Sequence, residues 1–182
     1  MDDLGFFDWE DEPAVHDSLF TGTPSDANVR SAYWRKRTGA PAAMDPDHDR
    51  CGFVWVCPSL PLQGGHVVRA VGIMQRIMAG FSFEPNIGMS CVSGRSFHAF
   101  AAITFDRDAP GEDERAMACQ AAISDALAEA GYLPYRLGIH TMNSLPRPTD
   151  DYGKLMATLK RALDPNDILA PGRYDFRETW PV

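Results

Sequence analysis

The sequence contains no Cys-x-x-Cys pair and no tight grouping of cysteine with histidine. That removes the usual zinc spacings, and no metal is expected. Its four cysteines, Cys51, Cys57, Cys91 and Cys119, stand apart, most of them in or beside apolar segments. They read as reduced, buried thiols. No run approaches about 18 apolar residues, so no helix long enough to cross a bilayer is expected. The opening MDDLGFFDWEDE is acidic where a secretory leader is basic and then apolar. A cytoplasmic location is the expectation. Positive charge is scarce: 17 Lys and Arg stand against 25 Asp and Glu, a net charge of −8. Such a balance argues against a broad grip on nucleic acid or on an anionic membrane. There is no G-x-G-x-x-G and no Gly-rich phosphate loop. No Ser-His-Asp or Cys-His arrangement follows from spacing, and there is no internal repeat. Asp45, Asp47 and Asp49 surround His48 and read as a solvated charge run rather than a cation site.

What is present is an ordinary globular balance, 45% apolar and 23% charged over 182 residues. A loop-rich stretch to about Asp49 holds one short helix, N-capped by Ser25, with Val29, Ala32 and Tyr33 on one face. CGFVWVC, 51–57, reads as a buried strand ended by Pro58 and Pro61. After Gly64 and Gly65, Val67, Val68, Val71, Met74, Ile77 and Met78 recur at mostly three- and four-residue steps, an amphipathic helix ended near Gly80. Residues 86–93 and 97–105 read as two strands joined through Gly94-Arg95-Ser96. In the second, Phe97, Ala99, Ala101, Ile103 and Phe105 face one way, and His98, Phe100, Ala102 and Thr104 the other. Glu112, Asp113 and Glu114 load the start of a helix that runs to Ala130, with Gly131 as its stop. A further helix runs from about Asp150 to Leu163. This order predicts an α+β fold: an antiparallel sheet with helices packed on one face, then a C-terminal helix and tail.

The tail LKRALDPNDILAPGRY resembles the C-terminal signature of FAD-linked oxidases. CGFVWVCPSLPLQG, GRSFHAFAAITFDR, GYLPYRLGIHTM and TGTPSDANVRSAYWR extend the likeness. They resemble the vanillyl-alcohol oxidase and p-cresol methylhydroxylase family, whose members oxidise 4-alkylphenols. The resemblance covers the substrate, or cap, domain over 1–133. It continues over a C-terminal segment, 134–182, that would complete an FAD-binding domain. The family's large N-terminal FAD-binding domain has no counterpart here. The resemblance therefore implies a fragment, or a subunit completed by a separate FAD-domain chain. It would bind FAD only with that missing domain, act on a phenolic small molecule, and form a homo- or hetero-oligomer. The alternative is a stand-alone, non-catalytic binding or scaffold module derived from the cap.

The resemblance also implies roles. Tyr135 and Arg136 match the pair that hydrogen-bonds the phenolic oxygen. A free phenol has a pKa of about 10, and a tyrosyl OH with a guanidinium at its oxygen favours the phenolate. His98 matches a histidine near the reacting carbon, suited to take a proton from attacking water. Trp55 and Phe100 would line the aromatic pocket. Gly172 and Arg173 match positions beside the flavin ring. Many relatives bond a cap-domain His or Tyr to the flavin; Phe53 stands at that place, which implies a non-covalent flavin.

Overall fold

The computed structural model describes residues 26, 29–142 and 151–171. These fall into two compact units, divided between Leu133 and Pro134.

The first unit is built on strand pairing. β1 spans Cys51–Val56, β2 Ser59–Pro61, β3 Asn86–Ser93 and β4 Ser96–Asp106. β4 lies at the centre and is antiparallel to all three. β1 pairs with its second half (Cys51 opposite Asp106, Val56 opposite Ala101) and β2 with its first (Ser59 opposite His98). The register passes from β1 to β2 without a shift, and Ala99 N–H donates to Pro58 C=O at 3.1 Å in the gap. Pro58 thus interrupts the strand without ending it, contrary to the expectation, while the pairing does end at Pro61. Both sit on an edge, where a missing N–H is tolerated. On the opposite edge β3 pairs with β4 and carries one irregularity between Cys91 and Ser93.

Period-2 alternation divides β4 into an inner and an outer face. Ala99, Ala101, Ile103 and Phe105 point inward with Val54, Val56 and Leu60, and all are buried. Two helices cover this side: α1, Gly64–Gly80, and α2, Glu112–Glu129. α1 contributes Ala70, Ile73, Met74 and Met78; α2 contributes Ala116, Cys119, Ile123 and Leu127. Burial pushes the Cys119 thiol up to about 11. α2 stops as its sequence dictates. Gly131 adopts φ +84° and donates to Ala128 C=O, while Tyr132 N–H donates to Leu127 C=O at 2.8 Å. This is a Schellman stop, with Tyr132 packed back into the core.

The stretch 29–50 is loop-rich with one short helix, as expected, and the helix type is the difference. Val29–Tyr33 forms a 3-10 helix rather than an α-helix, starting from a bond between Val29 N–H and Asp26 C=O. Ser25, the expected cap, lies outside the described residues. Only Tyr33 of this turn is buried, too little apolar surface to hold a longer helix. Long-range ion pairs tie the stretch down instead. Lys36 reaches Asp106 at 2.7 Å and Asp108 at 2.6 Å, and Arg50 meets Asp108 at 2.6 Å. Arg35 bridges Glu84 and Glu112, and with Arg115 brackets the Phe83 ring at about 5 Å from its centroid. The Tyr33 hydroxyl donates to Asp49 at 2.6 Å; its burial, together with that carboxylate, pushes the phenol up to about 12.

In the second unit, α3 spans Asp151–Leu163. Beyond it, Asp164 knots the chain. Its carboxylate takes Lys160 Nζ at 2.5 Å and the N–H groups of Ile168 (3.0 Å) and Leu169 (2.9 Å), and Lys160 also donates to Leu169 C=O. The Lys160 ammonium and the two amides hold the Asp164 carboxyl down at about 2.

Two consequences are measurable. A Cβ on Gly52 would lie 2.2 Å from the ring of Phe105, its cross-strand partner. Gly52→Ala therefore overpacks a buried ring and costs about 2 kcal/mol in urea unfolding; an unchanged midpoint contradicts this packing. Asp164 has a lowered folded pKa, so its stabilisation is present above the unfolded carboxylate value of about 4 and is lost as pH falls toward 2. Proteolysis of the 151–171 segment should rise across that window in the wild type. Asp164→Asn should be cut readily at every pH and show no such rise.

Candidate active-site face

The outer face of the sheet is not covered by α1 or α2, and its composition changes along its length. Cross-strand partners share a face, so the register reads off its rows. Phe53 lies opposite Thr104, and Trp55 opposite Ala102, which is flanked on the far edge by Asn86. Phe100 lies opposite Gly88; His98 lies between Ser59 and Ser90. The aromatic members touch in sequence. Phe53 and Trp55 centroids are 4.8 Å apart, Trp55 and Phe100 6.3 Å, Phe100 and His98 6.5 Å, the last two edge to face. Trp55 remains 50% exposed, so CGFVWVC is a half-buried strand, not a wholly buried one. Its even-numbered members Val54 and Val56 fill the core, while Phe53 and Trp55 serve the outer face. The result is an aromatic row, its neighbouring rings tilted or edge to face, that ends at an imidazole.

Three of the expected site residues, Trp55, Phe100 and His98, are thus brought together on one surface with Phe53. Tyr135 and Arg136 belong to the second unit. Their side chains stack, with the Arg136 guanidinium 5.4 Å from the centroid of the Tyr135 ring, and Tyr135 is 38% exposed. A guanidinium held on a ring loses less freedom when it binds an anion. Gly172 and Arg173 lie outside the described residues. His48 is exposed on the 45–50 turn; Asp49 there is occupied by Tyr33, and Asp45 accepts from the His48 N–H. Among the described residues no group of three His, Cys, Asp or Glu side chains is placed to hold a metal.

Sequence reading missed the charged pairs that fasten each unit. Lys36 and Asp106 meet across 70 positions, and no local pattern announces such a pair. Lys160 and Asp164 were within reach of the i,i+4 rule. A polar hollow of about 360 Å³, lined by Tyr33, Lys36, His48, Asp49, Arg50 and Asp108, opens beside the 29–50 stretch. Its Lys36, Arg50 and Asp108 charges are already paired with one another, so we assign it no ligand.

Residues 96–174 match the family of FAD linked oxidases, C-terminal domain. Over 168 residues the chain is 49% identical to 1'-carboxy-chondrochloren decarboxylase of Chondromyces crocatus, covering 92% of this chain and 31% of that protein. Over 126 residues it is 30% identical to the flavoprotein subunit of 4-cresol dehydrogenase [hydroxylating] of Pseudomonas putida, covering 67% and 23%. The solved structure of p-cresol methylhydroxylase with substrate bound matches at TM-score 0.60 and 28% identity, over 68% of this chain and 24% of that one. The chain belongs to the vanillyl-alcohol oxidase and p-cresol methylhydroxylase family. A 4-ethylphenol oxidase from Gulosibacter chungangensis, in complex with isoeugenol, shares the fold at TM-score 0.62 and 20% identity, over 72% and 25%. The chain spans about a third or less of the curated relatives it matches.

Membership implies FAD, and the described residues fit only one end of it. A planar ring system suits the wall of Phe53, Trp55 and Phe100, half of it open. No Gly-rich loop is present to cradle a pyrophosphate.

Proposed function

We propose that this chain supplies the substrate wall and the C-terminal part of a flavin-dependent oxidoreductase acting on a para-substituted phenol. One observation carries the reading: an exposed aromatic face that ends at His98, in a chain of the FAD-linked oxidase family. Another polypeptide region, in the same chain or a second one, provides the phosphate-binding domain. Bound FAD supplies a two-electron acceptor for the hydride of the benzylic carbon.

The chain's own residues prepare that step. Tyr135 OH and the Arg136 guanidinium donate to the phenolic oxygen and draw it toward phenolate. Electron density then reaches the para carbon, and the benzylic C–H bond breaks with its electron pair to leave a quinone methide. Each donor aimed at the developing charge contributes roughly 3 kcal/mol in a water-poor site. The aromatic row of Phe53, Trp55 and Phe100 offers apolar surface for the substrate ring to pack on. Phe53 would pack against the flavin ring, and its phenyl offers no atom for a covalent bond to it.

The identities favour a particular fate for the quinone methide. The relative at 49% identity is named as a decarboxylase of a 1'-carboxy compound, and the one at 30% as a hydroxylating dehydrogenase. On a phenol whose carboxylate sits on the carbon next to the benzylic one, the C–CO₂ bond of the quinone methide breaks, and its electron pair forms the vinyl C=C and restores the phenolate. The products are CO₂ and a vinyl phenol, with two electrons left on the acceptor. In the hydroxylating outcome water adds instead, and His98 takes its proton.

The test is stopped-flow flavin reduction by a 4-alkylphenol in this chain assembled with an FAD-binding domain of its family. Arg136→Ala should slow reduction about a hundredfold or more, at about 1.4 kcal/mol per tenfold. Tyr135→Phe should cost less, because it removes one neutral donor where Arg136 brings a full charge. Reduction at the wild-type rate by Arg136→Ala, with substrate bound, would remove the chemical basis of this function.

A further inference from the structure

The face that carries the aromatic wall has a second half of different chemistry. On β4, Ser96 and His98 precede Phe100 on the same side. Register sets Ser59 and Ser90 on either side of His98, and Pro61 and Ser93 on either side of Ser96. Ser93 and Ser96 are already joined, Oγ to Oγ at 3.1 Å. Ser59, His98 and Ser90 form a row across three strands, each half-buried. Directly opposed side chains in such a ladder stand about 5 Å apart at Cβ. The adjacent row is Cys57, Phe100 and Gly88, so the polar row begins where the aromatic wall stops, with 6.5 Å between the His98 and Phe100 centroids. Gly88 contributes no side chain beside Phe100, which leaves lateral room on that row.

We infer that the Ser59–His98–Ser90 row is the subsite for a carboxylate on the side chain of the phenolic substrate. The inference rests on the phenol reading above and names the substrate class within it. Three features carry it. Hydroxyls and an imidazole N–H all donate to a carboxylate, and here register sets them side by side on three strands. The step from wall to row, one strand repeat of about 7 Å, matches the span from an aromatic ring to a carboxylate on a two-carbon para substituent. Strands β1 to β4 bring no lysine or arginine to this face. A fixed cation would stabilise the substrate carboxylate more than a transition state in which that charge flows toward the ring, whereas neutral donors orient it without that penalty. The row thus selects and aims the carboxylate, and Ser59 and Ser90 are specificity residues.

The assembled holoenzyme offers the test, with 3-(4-hydroxyphenyl)propanoate and 4-propylphenol as probes. In the wild type, kcat/KM for flavin reduction should favour the carboxylated probe at least tenfold. A hydrogen bond to a charged group is worth roughly tenfold or more, so Ser59→Ala/Ser90→Ala should cut that preference about tenfold or more. Ser90→Ala alone, on the edge strand and little able to disturb folding, should give a smaller loss in the same direction. A preference unchanged in the double variant, or a wild type that favours 4-propylphenol, overturns the subsite. Calorimetric binding of 3-phenylpropanoate to the same proteins separates this from the phenol reading. If neither phenol reduces flavin yet 3-phenylpropanoate binds and the double variant weakens it, the subsite stands and the phenol reading falls. If the double variant binds it as the wild type does, or neither protein binds it, the subsite falls.

Discussion

Strand β4 is hydrogen-bonded along both edges, and the rest of the first unit depends on that pairing. With β1 and β2 in one continuous register on one side and β3 on the other, each residue of β4 has fixed neighbours and a fixed face. A slip of one residue would turn Ile103 and Phe105 out of the core and bring His98 and Phe100 into it. The core under α1 and α2 therefore sets the register, and the register builds the outer wall. Packing far from the candidate chemistry holds the chemistry in place: Phe105 lying across Gly52 guards the same alignment that puts Trp55 beside Phe100.

The two ends of that wall are held differently. Beyond Phe53 the sheet ends at Asp106, whose carboxylate Lys36 binds at 2.7 Å with both side chains largely buried. A buried pair of this kind is costly to break singly, because one charge is then left without a partner. It fastens the 29–50 stretch to the end of the sheet. At the other end the face opens into hydroxyls around His98. A ring and a polar side chain on one substrate suit this gradient, as would a hydride-transfer chemistry that needs the ring held flat.

Much of this was legible in the residues. The alternation in FHAFAAITF announced both faces of β4, and the aromatic members of CGFVWVC announced where the wall would be. The helices were legible from their apolar spacing and from Gly80 and Gly131. Serine gave no such signal: Ser59 and Ser90 gain meaning only from pairing with His98, and pairing partners 39 and 8 positions away are set by the whole sheet. The 29–50 stretch was legible as loop-rich with one short helix, but not its anchoring, because its order comes from ion pairs to distant residues rather than from local periodicity. Continuation of the β1 register past Pro58 was hidden for a related reason, since a proline on an edge strand costs little but looks like a stop.

The most direct measurement is flavin bleaching in the assembled enzyme with a para-substituted phenol bearing either hydrogen or deuterium at its benzylic carbon. If hydride leaves that carbon against the Phe53–Trp55–Phe100 wall, the deuterated phenol bleaches the flavin severalfold more slowly at saturation. Equal rates for the two phenols, or no bleaching by either, would contradict the assignment of this chain to benzylic oxidation.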